Sequence, residues 1–252
     1  MPIRTRTRWG AAAALAIGLG AWAAQAAADQ PAQPTKINLL VVTGGHGYNE
    51  KEFPKIFAGA DDIAVTFFPQ KVGGEAFQTI DDWKYDVLLL YNFNQRISEA
   101  EQANFLKLMD RGVGLIVLHH AMAAYPDWRE FRAIAGGKFY LKPTPDEGAT
   151  RGSGVKFGVN MKVRPADPDH PITKGLEEFT IHDETYNHYW VDPQAKVLLT
   201  TDEPASDKVV AWAKTYRKAR VFGMQMGHDE KAWASPGFRT ALVRAVRWTA
   251  GR

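Results

Sequence analysis

Four hydrophobic runs in this sequence end in polar residues that can bind a metal or transfer a proton, and this repetition restricts the fold more than any other feature. The runs and their polar ends are residues 37–42 before His46, residues 114–118 before His119 and His120, residues 179–181 before His182, Asp183 and Glu184, and residues 220–226 before His228 and Asp229. If the first, second and fourth runs are parallel strands of one sheet, their polar ends meet at one edge. Open α/β sheets bind their ligands at that edge.

The N-terminal 28 residues have the pattern of a secretory signal peptide. Arg4, Arg6 and Arg8 precede an apolar stretch over residues 10–24, followed by small residues suited to cleavage. The alternative is an uncleaved membrane anchor, but the apolar stretch is shorter than the about 20 residues that span a bilayer. We therefore expect a signal peptide over residues 1–28, a linker over 29–35, one domain over 36–252, and a periplasmic or secreted protein without stable membrane insertion after cleavage.

Composition excludes several kinds of site. The first 28 residues hold three of the 31 basic residues and none of the 28 acidic ones, so the remaining chain has no formal net charge and no argument for binding nucleic acid. The chain has no cysteine, which excludes disulfides, thiolate zinc sites and a cysteine nucleophile.

Strand-like and helix-like segments alternate, which is typical of an α/β fold with a mainly parallel central sheet. We expect helices over residues 50–57, 99–110, 127–135 and 237–249, the second of which opens with a Ser98–Glu101 capping box. The expected strands are residues 37–42, 63–68, 86–91, 114–118, 196–200, 209–212 and 220–226. Residues 138–190 are looser, with short strands such as 155–163, and form either a cover over the site or a functionless sheet edge.

The polar strand ends offer candidates for catalysis and for metal binding. His228, Glu184 and His120 are the candidate catalytic residues, because imidazoles and carboxylates transfer protons near neutral pH. On a strand, adjacent side chains point to opposite faces. We therefore expect only one of His119 and His120 to face the site, and we expect Asp183 to hold a loop beside Glu184.

His46, His119 and His228 form the candidate metal set, since three imidazoles, or two with a carboxylate, suit a divalent ion, zinc foremost, with an open position. Metal-free acid–base catalysis is the alternative. The glycine-rich turn around His46 lacks both the P-loop residues and the full dinucleotide-binding spacing, so we expect no nucleotide.

Aromatic and amide groups near the same edge suit a neutral carbohydrate, whose C–H faces are apolar and whose hydroxyls need hydrogen-bond partners. The candidate substrate-binding residues are Tyr48, Asn92, Tyr140, Tyr186 and Asp229.

The sequence resembles the ThuA-like family, named for trehalose utilisation, within the class I glutamine amidotransferase-like superfamily. The matching segments, in chain order, are residues 41–46, 117–121, 136–139, 170–176, 183–186, 197–200, 220–222 and 227–229. The resemblance implies a ThuA-like domain over residues 36–252, a flavodoxin-like three-layer sandwich and a link to bacterial sugar metabolism involving 3-keto disaccharides and glycosides.

Together, the residues and the resemblance predict an exported enzyme that acts on a glycoside or 3-keto-sugar by hydrolysis, elimination or isomerisation. The alternative is a non-catalytic carbohydrate-binding or accessory protein on the same fold. Glutamine amidotransfer is excluded because its cysteine nucleophile is missing. The oligomeric state stays open.

Overall fold

The computed structural model describes residues 1–3, 35–146 and 148–252, and its folded unit is Lys36–Arg252. The expected signal peptide and linker fall almost wholly on residues 4–34 and so lie outside the described residues. The strands are β1 (Ile37–Gly44), β2 (Ile63–Pro69), β3 (Val87–Asn92), β4 (Gly114–Leu118), β5 (Gly137–Lys138), β6 (Thr144–Asp146), β7 (Ala149–Arg151), β8 (Gly154–Pro165), β9 (Phe179–Asn187), β10 (Trp190–Val191), β11 (Lys196–Thr201), β12 (Val209–Tyr216) and β13 (Ala219–Met224). The α-helices are α1 (Glu99–Arg111), α2 (Phe131–Ala135), α3 (Glu230–Trp233) and α4 (Pro236–Thr249), and the 3₁₀ helices are Phe53–Phe57, Glu75–Phe77 and His119–Ala123.

Nine of these strands form one mixed sheet in the order β2-β1-β3-β4-β13-β12-β11-β8-β9. Strands β2, β1, β3, β4 and β13 pair in parallel, whereas β12, β11, β8 and β9 extend the sheet with antiparallel pairs. Every residue of β3 and β4 is buried, as expected for parallel strands covered on both faces. The predicted α/β fold is confirmed, and its predicted edge lies at the carboxyl ends of β1, β4 and β13.

A hydrophobic core fills each face of the sheet, which gives the three layers of the sandwich. One core packs α4 and the 3₁₀ helix Phe53–Phe57 against the sheet, and the other packs α1 and α2 against the opposite face. Two solvent-shielded layers of this kind hold the parallel strands in a fixed position. The loops that follow those strands therefore start from a rigid base.

Three local expectations differ from the structure. The helix expected over residues 50–57 is a short 3₁₀ turn with Pro54 in its first turn, and the one expected over 127–135 is only α2. Residues 138–190 are more regular than expected, because they contain the long antiparallel pair of β8 and β9. In β8 the buried Val159, Met161 and Val163 alternate with exposed polar residues, which weakened its hydrophobic pattern in the sequence.

None of the helices in the described residues is both long enough and apolar enough to cross a membrane.

The Ser98 cap of α1 gives a test of the fold. The Ser98 hydroxyl accepts the Glu101 backbone N–H, and the Glu101 carboxylate accepts the Ser98 backbone N–H, as the sequence predicted. We expect Ser98→Ala to lower the free energy of unfolding by about 1 kcal/mol, because the first turn loses an acceptor. Urea denaturation measures this loss. Ser98→Asp, which can still cap the helix, should stay close to the wild type, and equal losses in the two variants would contradict the capping role.

Candidate active site

Four imidazole rings gather at the carboxyl edge of the parallel strands. The His46 ring centroid lies 4.6 Å from that of His120 and 5.6 Å from that of His228. The His119 ring lies 5.2 Å from His120 and 5.3 Å from His228. Their strands β1, β4 and β13 end at the same edge of the sheet, with β3 between β1 and β4, so residues separated by up to 182 positions in the chain form one cluster.

The rings of His119 and His120 both lie in this cluster, whereas the alternation of an extended strand led us to expect only one of them at the site. They lie in the 3₁₀ helix that follows β4, and His119 has a φ of 55°, so the alternation of an extended strand does not apply. A non-glycine residue in this left-handed region is strained, and such strain is concentrated at functional sites. Here it directs the buried His119 ring toward His228.

The His119 ring is fixed by two hydrogen bonds. Its Nδ1 lies 2.6 Å from the backbone oxygen of Gln225, which can only accept, so Nδ1 carries the hydrogen. Nε2 therefore presents a lone pair, which accepts the hydroxyl hydrogen of Tyr186 at 2.8 Å. A fixed tautomer of this kind is how a protein orients a metal-binding histidine.

Glu184 of β9 completes the cluster from the antiparallel end of the sheet. Its carboxylate lies 3.0 Å from Nδ1 of His228 and 3.8 Å from Nε2 of His119, and those two nitrogens are 3.3 Å apart. The side chains of His119 and Glu184 are buried, and that of His228 is partly buried.

These three residues fit a divalent metal. Their ligand atoms all lie within 4.8 Å of one another. The ligands of a tetrahedral zinc ion, at bond lengths of about 2.0–2.1 Å, are separated by about 3.3 Å, close to the separations in this cluster. Two imidazoles and one carboxylate are also a ligand set that zinc uses in catalytic sites with an open position.

The set that fits a metal differs from the expected set in one member, since Glu184 stands where His46 was expected. His46 is exposed and stacks on His120 at the rim of the cluster. His120 is buried, with Nε2 3.2 Å from the Tyr91 backbone oxygen and Nδ1 without a hydrogen-bond partner among the described residues.

Asp183 fixes the backbone next to His228 and Glu184. Its buried carboxylate accepts the backbone N–H groups of Gly227 at 2.7 Å, His228 at 3.0 Å and Glu184 at 2.8 Å. Burial outweighs these three bonds and raises the pKa of Asp183 to about 7. The carboxylate ties the loop after β13 directly to β9, which is the loop-holding position expected from the sequence.

The pKa values of three histidines in the cluster are shifted in opposite directions. The hydrogen bond to the Glu184 carboxylate raises the pKa of His228 above its usual value. Burial lowers the pKa of His119 far below its usual value, and it lowers that of His120 to about 3. His119 and His120 are therefore neutral at physiological pH, which is the form that binds metals and accepts protons.

The candidate substrate-binding residues have different environments. Tyr186 is in the cluster through its bond to His119. The Tyr48 ring centroid lies 5.8 Å from that of Tyr91, and the Tyr91 ring centroid lies 4.3 Å from that of His120. Tyr48 is therefore linked to the cluster through Tyr91. Asn92 is fully buried, and its amide donates to the Gln95 side chain.

The other two candidate substrate-binding residues, Tyr140 and Asp229, form hydrogen bonds within the protein. The hydroxyl of Tyr140 donates to the Asp146 carboxylate, which also pairs with Arg132. Asp229 caps α3, because its carboxylate accepts the backbone N–H groups of Lys231 and Ala232. A short polar side chain directly before a helix favours capping, and this signal was present in the sequence.

Gln225 and Phe157 take part in the site although the sequence analysis did not select them. Gln225 is fully buried, and besides orienting His119 it donates from its side chain to the Glu184 backbone oxygen at 3.0 Å. A lone amide between two methionines at the end of a buried strand could have revealed it. Phe157 lies 6.0 Å from the His228 ring, and its position depends on an irregularity of β8 that no sequence pattern indicated.

Comparison with known proteins identifies the family. The profile of the ThuA family, described as trehalose utilisation, matches residues 38–249, which is most of the chain. The chain belongs to the ThuA family. The resemblance stated from the sequence is thereby confirmed, and the family description gives this ThuA-family protein a carbohydrate-related role. A comparison with curated proteins finds no match.

Solved structures support the fold of this ThuA-family protein. A ThuA-like protein from Parabacteroides merdae is 19% identical, with a TM-score of 0.72 over 86% of this chain and 90% of its own. A ThuA-like protein from Bacteroides uniformis is 20% identical, with a TM-score of 0.60 over 88% and 94%. The β-galactosidase from Rahnella sp. R3 is 11% identical, with a TM-score of 0.54 over 84% of this chain but 32% of its own. At these identities the similarity concerns the fold alone.

The pair of His228 and Glu184 predicts a pH dependence in metal-depleted protein. The carboxylate favours the imidazolium form, so the interaction stabilises the folded protein below the unfolded pKa of 6.5 and is lost as the pH rises through the higher folded-state pKa. NMR titration of the imidazole protons should give a pKa above 6.5 for His228, and Glu184→Gln should lower it. Glu178→Gln, which changes an exposed carboxylate paired with Lys162 and Arg164, is the matched control. An unchanged His228 pKa in Glu184→Gln would refute the assignment.

Proposed function

We propose that this protein is an exported, metal-dependent enzyme that acts on a glycoside or a 3-keto-sugar. The observation that carries the proposal is the set of His119, Glu184 and His228, whose three ligand atoms converge beside two further imidazoles. The carbohydrate class comes from the family description. Export comes from the sequence of the first 28 residues.

Neighbouring residues orient these three side chains so that they can bind a divalent ion, with zinc as the first candidate. Gln225 fixes the tautomer of His119, and Asp183 fixes the loop that carries His228. A carboxylate beside two imidazoles partly balances the charge of the ion, which burial would otherwise make costly. When bound, such an ion supplies Lewis acidity to a substrate carbonyl or hydroxyl oxygen.

His46 is positioned to transfer the proton. It is exposed at the rim, within 5.6 Å of the His228 ring, and is outside the metal set. In a 3-keto-glycoside the carbon between the keto group and the anomeric carbon has an acidic C–H bond. A base takes that proton, the C–H electron pair forms a C=C bond to the anomeric carbon, the bond to the glycosidic oxygen breaks, and that oxygen takes up a proton.

His120 orients this base by stacking against it. It stacks on the inner face of His46, and its low pKa keeps it neutral. A neutral neighbour adds no fixed charge to His46 when His46 becomes protonated, and stacking restricts the ring to one orientation. In a metal-free protein, the pair of His228 and Glu184 is instead the group suited to acid–base work.

Metal content tests the ligand set. We expect wild-type protein incubated with zinc and desalted to retain about one ion per chain, and we expect His119→Ala and His228→Ala to weaken zinc binding by about 100-fold or more, because each removes a ligand. Elemental analysis and competition with a chromogenic chelator measure this. His182→Ala is the matched control, because His182 lies on the same strand as Glu184 but is bonded to Asn160. Equal loss in His182→Ala, or no zinc on the wild type, would rule out the site.

Turnover tests the reaction. We expect the mature protein to release free sugar from 3-keto-trehalose or a 3-keto-glucoside, and we expect chelator to abolish that release. His46→Ala should lower kcat by about 10²-fold to 10⁴-fold while keeping the metal, as expected for loss of a general base. Initial rates at saturating substrate measure the effect. A broad panel of keto and unmodified glycosides without turnover, together with sugar binding that survives His46→Ala and His228→Ala, would favour a non-catalytic binding protein.

A further inference from the structure

Phe157 is a large aromatic side chain exposed beside the histidine cluster. The residue is 68% exposed, and its ring lies edge-to-face with the His228 ring at 6.0 Å. Leaving an apolar ring in water forgoes the free energy of burial that its area could provide. A ring held next to a candidate metal ligand recovers that free energy when something apolar covers it.

A β-bulge places Phe157 at this position. Lys156 pairs with Thr185 and Val159 pairs with Asp183, so the two residues between them, Phe157 and Gly158, both stand opposite Glu184. Bulges re-aim side chains and are enriched next to active sites. The bulge therefore places an aromatic ring and the carboxylate of the candidate metal set at the same point along the β8–β9 pair.

Gly158 makes this bulge possible. Its φ of 66° lies in the left-handed region, which glycine adopts without the steric cost that a β-carbon brings. The rest of β8 is regular, and its buried Val159 and Met161 anchor the strand to the core. The irregularity is thus confined to the two residues that face Glu184.

We propose that Phe157 forms the apolar wall of the active site and stacks against the C–H face of a pyranose ring in the substrate. This inference rests on the proposed function and adds to it the chemical class of the substrate: an intact, neutral pyranoside with one unsubstituted apolar face. Such a ring covers the phenyl group, while its hydroxyl and keto oxygens point toward His46 and the metal set. A linear polyol or an organic acid offers no such face.

The surroundings of Phe157 fit a sugar better than a protein or lipid surface. Its neighbours Lys156 and Asn160 are exposed and polar, and partly buried His182 is bonded to the Asn160 side chain. Protein and membrane docking sites present contiguous apolar patches of several hundred Å². Apart from the exposed Val155 on the same strand, the ring stands among polar groups, which is much less than a contiguous apolar patch and matches the mixed surface of a carbohydrate.

Direct binding measurements on metal-depleted protein test this role without turnover. Saturation-transfer NMR gives the Kd for 3-keto-trehalose and for trehalose with wild-type protein and with Phe157→Ala. We expect Phe157→Ala to raise the Kd about tenfold, since it removes the apolar area that the sugar covers. Phe157→Trp should restore the affinity to within about threefold of the wild type, because indole offers a similar stacking face.

Phe68→Ala is the matched control, since Phe68 is an exposed phenylalanine on β2 at the opposite edge of the sheet. It should bind sugar like the wild type. Wild-type binding that is unchanged in Phe157→Ala, or equally weakened in Phe68→Ala, would overturn the role of Phe157 and leave the proposed function standing. If wild-type protein binds neither sugar, whether metal-depleted or loaded with zinc, both the proposed function and this inference fail.

Discussion

The carboxylate of Asp183 is the contact on which the site geometry depends. It joins β9, the last strand of the sheet order, to the loop after β13 through backbone N–H groups of Gly227 and His228. Three strands, β12, β11 and β8, lie between β13 and β9 in the sheet, so no ladder of backbone hydrogen bonds connects the two. Without this side chain those buried N–H groups would lack an acceptor, and such a loss costs on the order of 1–3 kcal/mol per group.

A second set of contacts supports the same loop from the opposite side. The Tyr91 hydroxyl lies 2.9 Å from the Gly227 backbone oxygen, and Trp233 donates to that oxygen at 2.8 Å. The loop is therefore held through both its N–H and its C=O groups. Because His228 follows Gly227 directly, its ring starts from a fixed backbone, and little conformational entropy remains to be lost when the site binds a ligand.

The parallel part of the fold could be predicted from the sequence because its information is local. Continuous apolar runs mark buried parallel strands, and parallel strands place their polar ends at one edge, which was enough to predict that His46, one of His119 and His120, and His228 lie together. Glu184 was a candidate acid of the site, but its distances to His119 and His228 could not be predicted, because they depend on the docking of a distant antiparallel strand. The aromatic candidates show the same limit, because the bond of the Tyr140 hydroxyl to Asp146 depends on side-chain positions that sequence composition does not give.

The position of β9 has a consequence for how the protein matures. His119, Glu184 and His228 are 65 and 44 residues apart along the chain, and two large loops must close before their side chains meet. Closing loops of this length carries an entropic cost that slows folding. Strands β1 to β4 can form while the chain is still being extended, but Glu184 lies on β9 and His228 follows β13, the last strand of the chain. The binding competence of this protein therefore appears only when both of these strands have docked, so an incompletely folded molecule is an inert one.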